Sequence, residues 1–150
     1  MKLRCTLMPD ISPDDILKMT SVIHRKTQMY LNEETKTLGV TSGQTPFIMI
    51  ICENGKMVQN QFCEILDMDK STVAKMMAKL EANGYITRSP NPKDNRSIDV
   101  SPTSKSQELY PLLKKIGEEW SLKLTKNLTV SEKTVFVEML KKVTENAVTM

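Results

Sequence analysis

Between Lys70 and Arg96 the chain sets out side chains that can grip a polyanion and read its bases. Ser71, Thr72 and Lys75 fall close together in a segment with helical periodicity. A hydroxyl donates or accepts at a base edge, and an ammonium reaches guanine O6 and N7 or a phosphate. Lys70 and Lys79, on the flanks of the same segment, are expected to meet phosphates. Arg96 lies in a polar loop further on, where a guanidinium suits the negative potential of a narrow minor groove. Asp94, two residues earlier, is expected to orient that guanidinium by an ion pair. Asn91, Lys93 and Asn95 in the loop, and Gln59 and Asn60 upstream, are candidate contacts to the DNA backbone.

Charge is distributed in the same sense. Residues 70 to 96 carry six cations against Glu81 and Asp94, a net of +4, whereas the whole chain is +3. The positive excess therefore sits on this stretch, where phosphates would be met.

Other chemistries find little to work with. There is one histidine, His24, in the middle of a predicted helix. No Gly-rich phosphate loop, nucleophile elbow or metal-ligand spacing occurs, so no catalytic residue, cofactor or metal is expected. Cys5, Cys52 and Cys63 are odd in number and widely spaced, which argues for reduced thiols and against zinc. The N-terminal MKLRCTLMPD carries no long apolar stretch and no small-residue cleavage site. No secretory signal is expected, and the cytoplasm is the expected compartment. No apolar run is long enough to span a bilayer, so no membrane association is expected. With 150 residues, 39% of them hydrophobic and 26% charged, the chain is expected to fold as one domain with a buried core.

The elements that must position these residues follow from capping and periodicity. In Lys70 to Ala82, Val73, Met76, Met77 and Leu80 share one face, and Ser71 and Lys75 point away from it. Asp69 caps this helix. A shorter helix, about Gln59 to Leu66, precedes it, with Phe62, Ile65 and Leu66 inward, and Asp67-Met68-Asp69 makes the turn between them. After the Asn83-Gly84 stop, Tyr85 to Arg88 and Ser97 to Val100 read as two short strands around the polar loop SPNPKDNR. The order is a helix-turn-helix followed by a wing.

Helices flank this unit. Residues 1 to 11 read as an irregular arm. Ser12-Pro13-Asp14-Asp15 starts a helix that runs to about Leu38 and stops at Gly39. It carries two apolar sets on different faces: Ile16, Ile23, Tyr30 and Leu31, then Met19, Val22 and Met29. Two stripes suggest packing on its own domain and on a second copy. Thr41-Ser42-Gly43-Gln44 is a capping-box pattern opening a helix at about Ser42 to Glu53, whose apolar run Phe47 to Cys52 should be buried nearly all round. From Thr103 a long helix presents Leu109, Leu112, Leu113, Ile116, Trp120 and Leu124, with Pro111 expected to cost a hydrogen bond or kink it. Thr129-Val130-Ser131-Glu132 opens a last helix with Phe136, Leu140, Val143 and Ala147 on one stripe and Val135 and Met139 on another.

Over residues 12 to 148 this order resembles the MarR family of winged-helix transcriptional regulators. The pattern is specific at Asp69-Lys70-Ser71-Thr72-Val73, at Leu80-Glu81-Ala82-Asn83-Gly84-Tyr85-Ile86, at Arg88, and at Pro92-Lys93-Asp94-Asn95-Arg96. Val58 stands where a capping Ser or Thr is common, Pro102 where a Leu usually precedes the Thr, and Ser106 where a Gly is common. The resemblance implies a mainly α fold with a small β-wing: a winged helix-turn-helix unit at 42–102, with dimerisation helices at 12–38 and 103–148. It implies a homodimer on double-stranded DNA, with each fourth helix in a major groove and each wing in an adjacent minor groove. The site would be a pseudopalindrome at a promoter, and the protein a transcriptional regulator, read as a repressor. Many members of the family are released from DNA by small aromatic or phenolic ligands, for which His24 is the candidate lining residue here, or by thiol oxidation.

Two further readings stand beside this one. A thiol-based redox switch would use Cys5, which precedes the first helix, whereas Cys52 and Cys63 lie in apolar stretches where a thiol is usually inert. A winged helix used only for protein contacts is opposed by the positive excess on the reading stretch.

Overall fold

The computed structural model describes residues 12–150. The expected N-terminal arm, with Cys5, lies outside the described residues. The first helix, α1 (Pro13–Thr35), passes into a 3-10 turn at Lys36–Leu38 that closes on Gly39, whose φ of 72° is left-handed. The reciprocal bonds expected of Thr41 and Gln44 form, with Thr41 N donating to Gln44 Oε1 (3.1 Å) and Gln44 N to Thr41 Oγ1 (3.3 Å). They close a turn rather than a helix, so α2 (Thr45–Asn54) begins three residues later than predicted. Pro46 then falls in the first turn, where no N–H is needed. Of the run expected to be buried throughout, Phe47, Ile48 and Ile51 are buried, whereas Met49, Ile50 and Cys52 are only half-buried.

The reading unit follows. A two-residue strand, β1 (Met57–Val58), is too short to show alternation and so leaves no signal in the sequence. The next helix, α3 (Gln61–Leu66), starts two residues after the predicted Gln59. Val58 has no hydroxyl with which to cap. Its N–H instead donates to Gln61 Oε1 (2.8 Å), and Phe62 and Cys63 close tight turns onto Gln59 and Asn60. Phe62 is buried and Leu66 half-buried, but Ile65 is 53% exposed and does not point inward as expected. Asp67, with φ 50°, turns the chain into α4 (Lys70–Ala82), whose bounds are those predicted.

Strands β2 (Ile86–Asn91) and β3 (Asp94–Pro102) are longer than their sequence signals and absorb most of the expected loop, leaving Pro92 and Lys93 as the turn. The antiparallel sheet is ordered β1-β3-β2. Pro90 is tolerated because β2 is an edge strand, where a missing N–H leaves no ladder partner unsatisfied. Gly84, at φ 77°, supplies the left-handed step from α4 into the wing.

Helices α5 (Ser104–Leu124) and α6 (Val130–Val148) begin with reciprocal caps, Thr103 with Ser106 and Thr129 with Glu132. Pro111 lies inside α5 and has no N–H to give the Gln107 carbonyl. The core draws Phe47, Ile48 and Ile51 of α2, Phe62 of α3, Val73, Met77 and Leu80 of α4, Ile86 and Val100 of the sheet, and Leu109 and Leu113 of α5. Phe47 and Phe62 stack at its centre, 5.7 Å between ring centroids. No residue of α6 is buried.

Candidate nucleic-acid interface

Helix α4 is fastened from one side and free on the other. Val73, Met77 and Leu80 sink into the core, which fixes the rotation of the helix. Lys70, Ser71, Thr72, Lys75 and Lys79 are all exposed on the remaining surface. Asp69 anchors the start: its Oδ1 accepts from Thr72 N (2.8 Å) and its Oδ2 from the Thr72 hydroxyl (2.7 Å). These bonds, the hydroxyl's first, hold the Asp69 carboxyl below the usual carboxylate range. Thr72 thus gives its hydroxyl proton to the cap and keeps only acceptor capacity for a base edge. Among the described residues, Ser71 and Lys75 have no such engagement.

The far end of α4 is tied to the wing. Arg88 of β2 donates to Glu81 (3.0 Å), and its other nitrogen lies 3.5 Å from Gln59 Oε1. Arg88 holds the Glu81 carboxyl below its ordinary range. Because this pair cancels internally, the local +4 resides in Lys70, Lys75, Lys79, Lys93 and Arg96, set against Asp94. None of these five cations is in an ion pair among the described residues. Gln59 is half-buried and engaged by Arg88, which leaves less of it for phosphate, whereas Asn60 is exposed at the α3 start with no capping bond from its side chain.

The wing departs from expectation in how it is held. Asp94 does not pair with the Arg96 guanidinium. Its Oδ1 accepts from the Arg96 backbone N–H and its Oδ2 from the Ser97 hydroxyl, both at 3.0 Å. A carboxylate two residues before an amide reaches the backbone sooner than it reaches the end of a long side chain. Arg96 and Asn95 are left exposed. Asn91 is committed within the wing: its Oδ1 accepts from Lys93 N (2.8 Å) and Asp94 N (3.2 Å), and its Nδ2 donates to Asp99 (2.8 Å). Asp99, which sequence reasoning passed over, is buried and also meets Lys56 Nζ at 3.0 Å. Lys56 and then Asn91 hold its carboxyl below the usual range. The available signal was an acid between Ile98 and Val100 in a predicted strand.

A cationic helix face beside a hairpin with an exposed arginine is an arrangement suited to binding DNA through a helix and a wing. The MarR family model matches residues 40–98, from the start of the helix-turn-helix unit into the wing. The HTH-type transcriptional regulator YybA of Bacillus subtilis is 31% identical over 133 residues, 89% of either chain. The chain belongs to the MarR family. A MarR family transcriptional regulator from Listeria monocytogenes, solved with a 26mer DNA, superposes with a TM-score of 0.83 at 33% identity, covering 94% of this chain and 91% of that one. A point mutant of Escherichia coli MarR, solved with operator DNA, gives 0.78 at 25% identity, covering 89% of this chain and 98% of that one. The protein is thus a MarR-family transcriptional regulator with a DNA-binding winged-helix fold.

Within this MarR fold, the substitution at Ser106 is accommodated as a cap: its hydroxyl accepts from Thr103 N (3.0 Å) and donates to Thr103 O (2.9 Å). His24 is exposed on α1. Burial pushes the Cys52 thiol up, with Glu53 adding to the effect and a hydrogen bond to Ser106 opposing it. Cys63 is half-buried against the core. No helix among the described residues is long and apolar enough to cross a membrane.

Proposed function

We propose that this MarR-family chain acts as a homodimer that represses transcription by occupying a pseudopalindromic promoter site. Lys75, Ser71 and the Thr72 oxygen meet bases in the major groove, Lys70 and Lys79 meet phosphates, and Arg96 enters the minor groove. Lys93, Asn95 and Asn60 add backbone contacts. The observation that carries this reading is α4 itself: one face locked in the core, the other bearing three unpaired lysines and no acid before Glu81.

The dimer rests on uncovered apolar surface. Ile16, Leu17, Met19, Ile23 and Met29 of α1 are exposed, as are Leu112, Leu122 and Leu124 of α5 and Phe136, Met139, Leu140 and Val143 of α6. Apolar surface on this scale marks an interaction surface, and helices from both chain ends supply it. Segments 12–38 and 103–148 serve as dimerisation helices, and 42–102 as the reader. Helix α6 touches too little of its own chain to be held by it.

A small aromatic or phenolic effector has an open groove to enter. About 690 Å³ opens between α2, α5 and α6, with Met49 and Leu122 joined by Glu53, Lys114, Glu118 and Lys133 in its walls; His24 does not line it. Occupying it would shift the outer helices against the reader and change the spacing of the two α4 helices. The thiol-switch alternative draws no support from Cys52, whose raised pKa disfavours the reactive thiolate.

The test is selection of duplexes from a random library by the full-length protein, followed by binding isotherms. Arg96→Ala should lower affinity about tenfold or more across sequences, while Lys75→Ala should lower it with a change in base preference. Failure to enrich any duplex, or unchanged affinity in both variants, would overturn the reading.

A further inference from the structure

We propose that Asp99 is a positioning residue for DNA recognition: anchored by Lys56, it holds Asn91 and thereby fixes the wing segment that carries Arg96. The proposal rests on the minor-groove reading of Arg96 given above and adds the device that aims it.

The sheet ladder cannot supply that aim. Strands β2 and β3 pair in register from Ile86 with Pro102 as far as Pro90 with Ile98, and the next pair is Asn91 with Asp94. Residues 95 to 97 therefore face no partner on β2. Arg96 sits in the middle of this excursion. Packing adds little at the tip: a cleft of about 390 Å³ lined by Lys56, Gln61, Asn91, Pro92, Lys93 and Asp99 lies beside it, and the nearest backbone tie to the body, Gln59 N to Ile98 O at 2.8 Å, falls just below the excursion.

What remains is a set of side-chain bonds. Asn91 is the last β2 residue before the excursion, and Asp99 lies on β3 just beyond it. Their bond, Asn91 Nδ2 to Asp99 Oδ1 at 2.8 Å, spans the mouth. With its other end Asn91 receives the amides of Lys93 and Asp94, and Asp94 in turn receives the amide of Arg96. The series runs unbroken from Asp99 to the Arg96 backbone. Asp99 is only 3% exposed in a largely exposed wing. A carboxylate there costs desolvation, so its presence calls for paired use of both oxygens. One takes the charge-assisted bond to Asn91. The other takes Lys56, in the turn between α2 and β1, a side-chain tie beside the rung where Val58 of β1 pairs with Asp99.

A double-mutant cycle separates aiming from general stability. Asn91→Ala, at a half-buried position of the wing, should bind an enriched duplex about tenfold more weakly. Asn91→Ala combined with Arg96→Ala should bind no more weakly than Arg96→Ala alone, whereas the loss should multiply with that of Lys75→Ala. Asp99→Ala should behave as Asn91→Ala does, and Asp99→Asn, which still offers an oxygen to Asn91 but gives up the charge that holds Lys56, should recover part of the affinity. If Asp99→Ala fails to fold by circular dichroism, the Asn91 cycle carries the test alone. Wild-type affinity in Asn91→Ala while Arg96→Ala is impaired, or losses at the two positions that multiply, would overturn the proposal. An Arg96→Ala protein that binds like the wild type would overturn the wing reading itself, and this proposal with it.

Discussion

Asp69 shows how a single residue serves both the fold and the reader. It caps α4 through the Thr72 amide and takes the Thr72 hydroxyl, so it sets the first turn from which Ser71 and Lys75 project. Asp69→Ala should lower Tm by a few degrees, measured by circular dichroism, with a parallel loss of affinity for DNA. The pH dependence follows from the depressed carboxyl. The cap's contribution is full above the ordinary Asp pKa of about 3.9 and is lost as pH falls through the lower folded value. The difference in Tm between wild type and Asp69→Ala should therefore be constant near neutrality and shrink in acid. A difference that grows on acidification would contradict this account. Residue types and spacing made the cap, and the exposed positions of Lys75 and Arg96, legible in the sequence. The partners of Asp94, Asn91 and Asp99 were not, because each is chosen by wing geometry that spacing along the chain does not encode.

At the scale of elements, α4 was legible to the residue because its cap, its apolar periodicity and its Asn-Gly stop agree. Structure and expectation part where local signals conflict. Proline and asparagine in SPNPKDNR signal a loop, yet an edge strand accepts them. A capping pattern at Thr41 signals a helix, yet it closed a turn. Two expected outcomes belong here. Lys79→Ala, removing one phosphate contact per subunit, should flatten the slope of log K against log salt by about 2 for a dimer, read from isotherms over a salt series. Pro111→Ala should restore a donor to the Gln107 carbonyl within α5 and raise Tm by several degrees, since Pro111 is exposed and the change leaves no cavity.

For the whole molecule, the double stripes on the terminal helices lead to the expectation of packing on the chain itself and on a second copy, and in the single chain residues of both α1 stripes are exposed. Substituting Leu140→Asp in α6 should yield a monomer by analytical ultracentrifugation. Its winged-helix core should still melt cooperatively, because α6 contributes no buried residue. Affinity for an enriched two-half-site duplex should fall by about a hundredfold, the loss expected when two linked readers become independent. A dimeric Leu140→Asp protein of wild-type affinity would move the interface elsewhere.

The unpaired stretch at residues 95 to 97 also sets how the wing can be altered. Inserting a residue into a paired strand slips the register and turns every following side chain to the wrong face. Here the extra length lies on β3 alone, outside the ladder, and the Asn91–Asp99 bond closes the neck beneath it. The stretch at 95 to 97 can change while the sheet below keeps its pairing, whereas Asn91 and Asp94 must stay for Arg96 to keep its aim. Under the minor-groove reading proposed for Arg96, the reach of the tip can change without slipping the register below, and a transplanted tip should carry its preference with it.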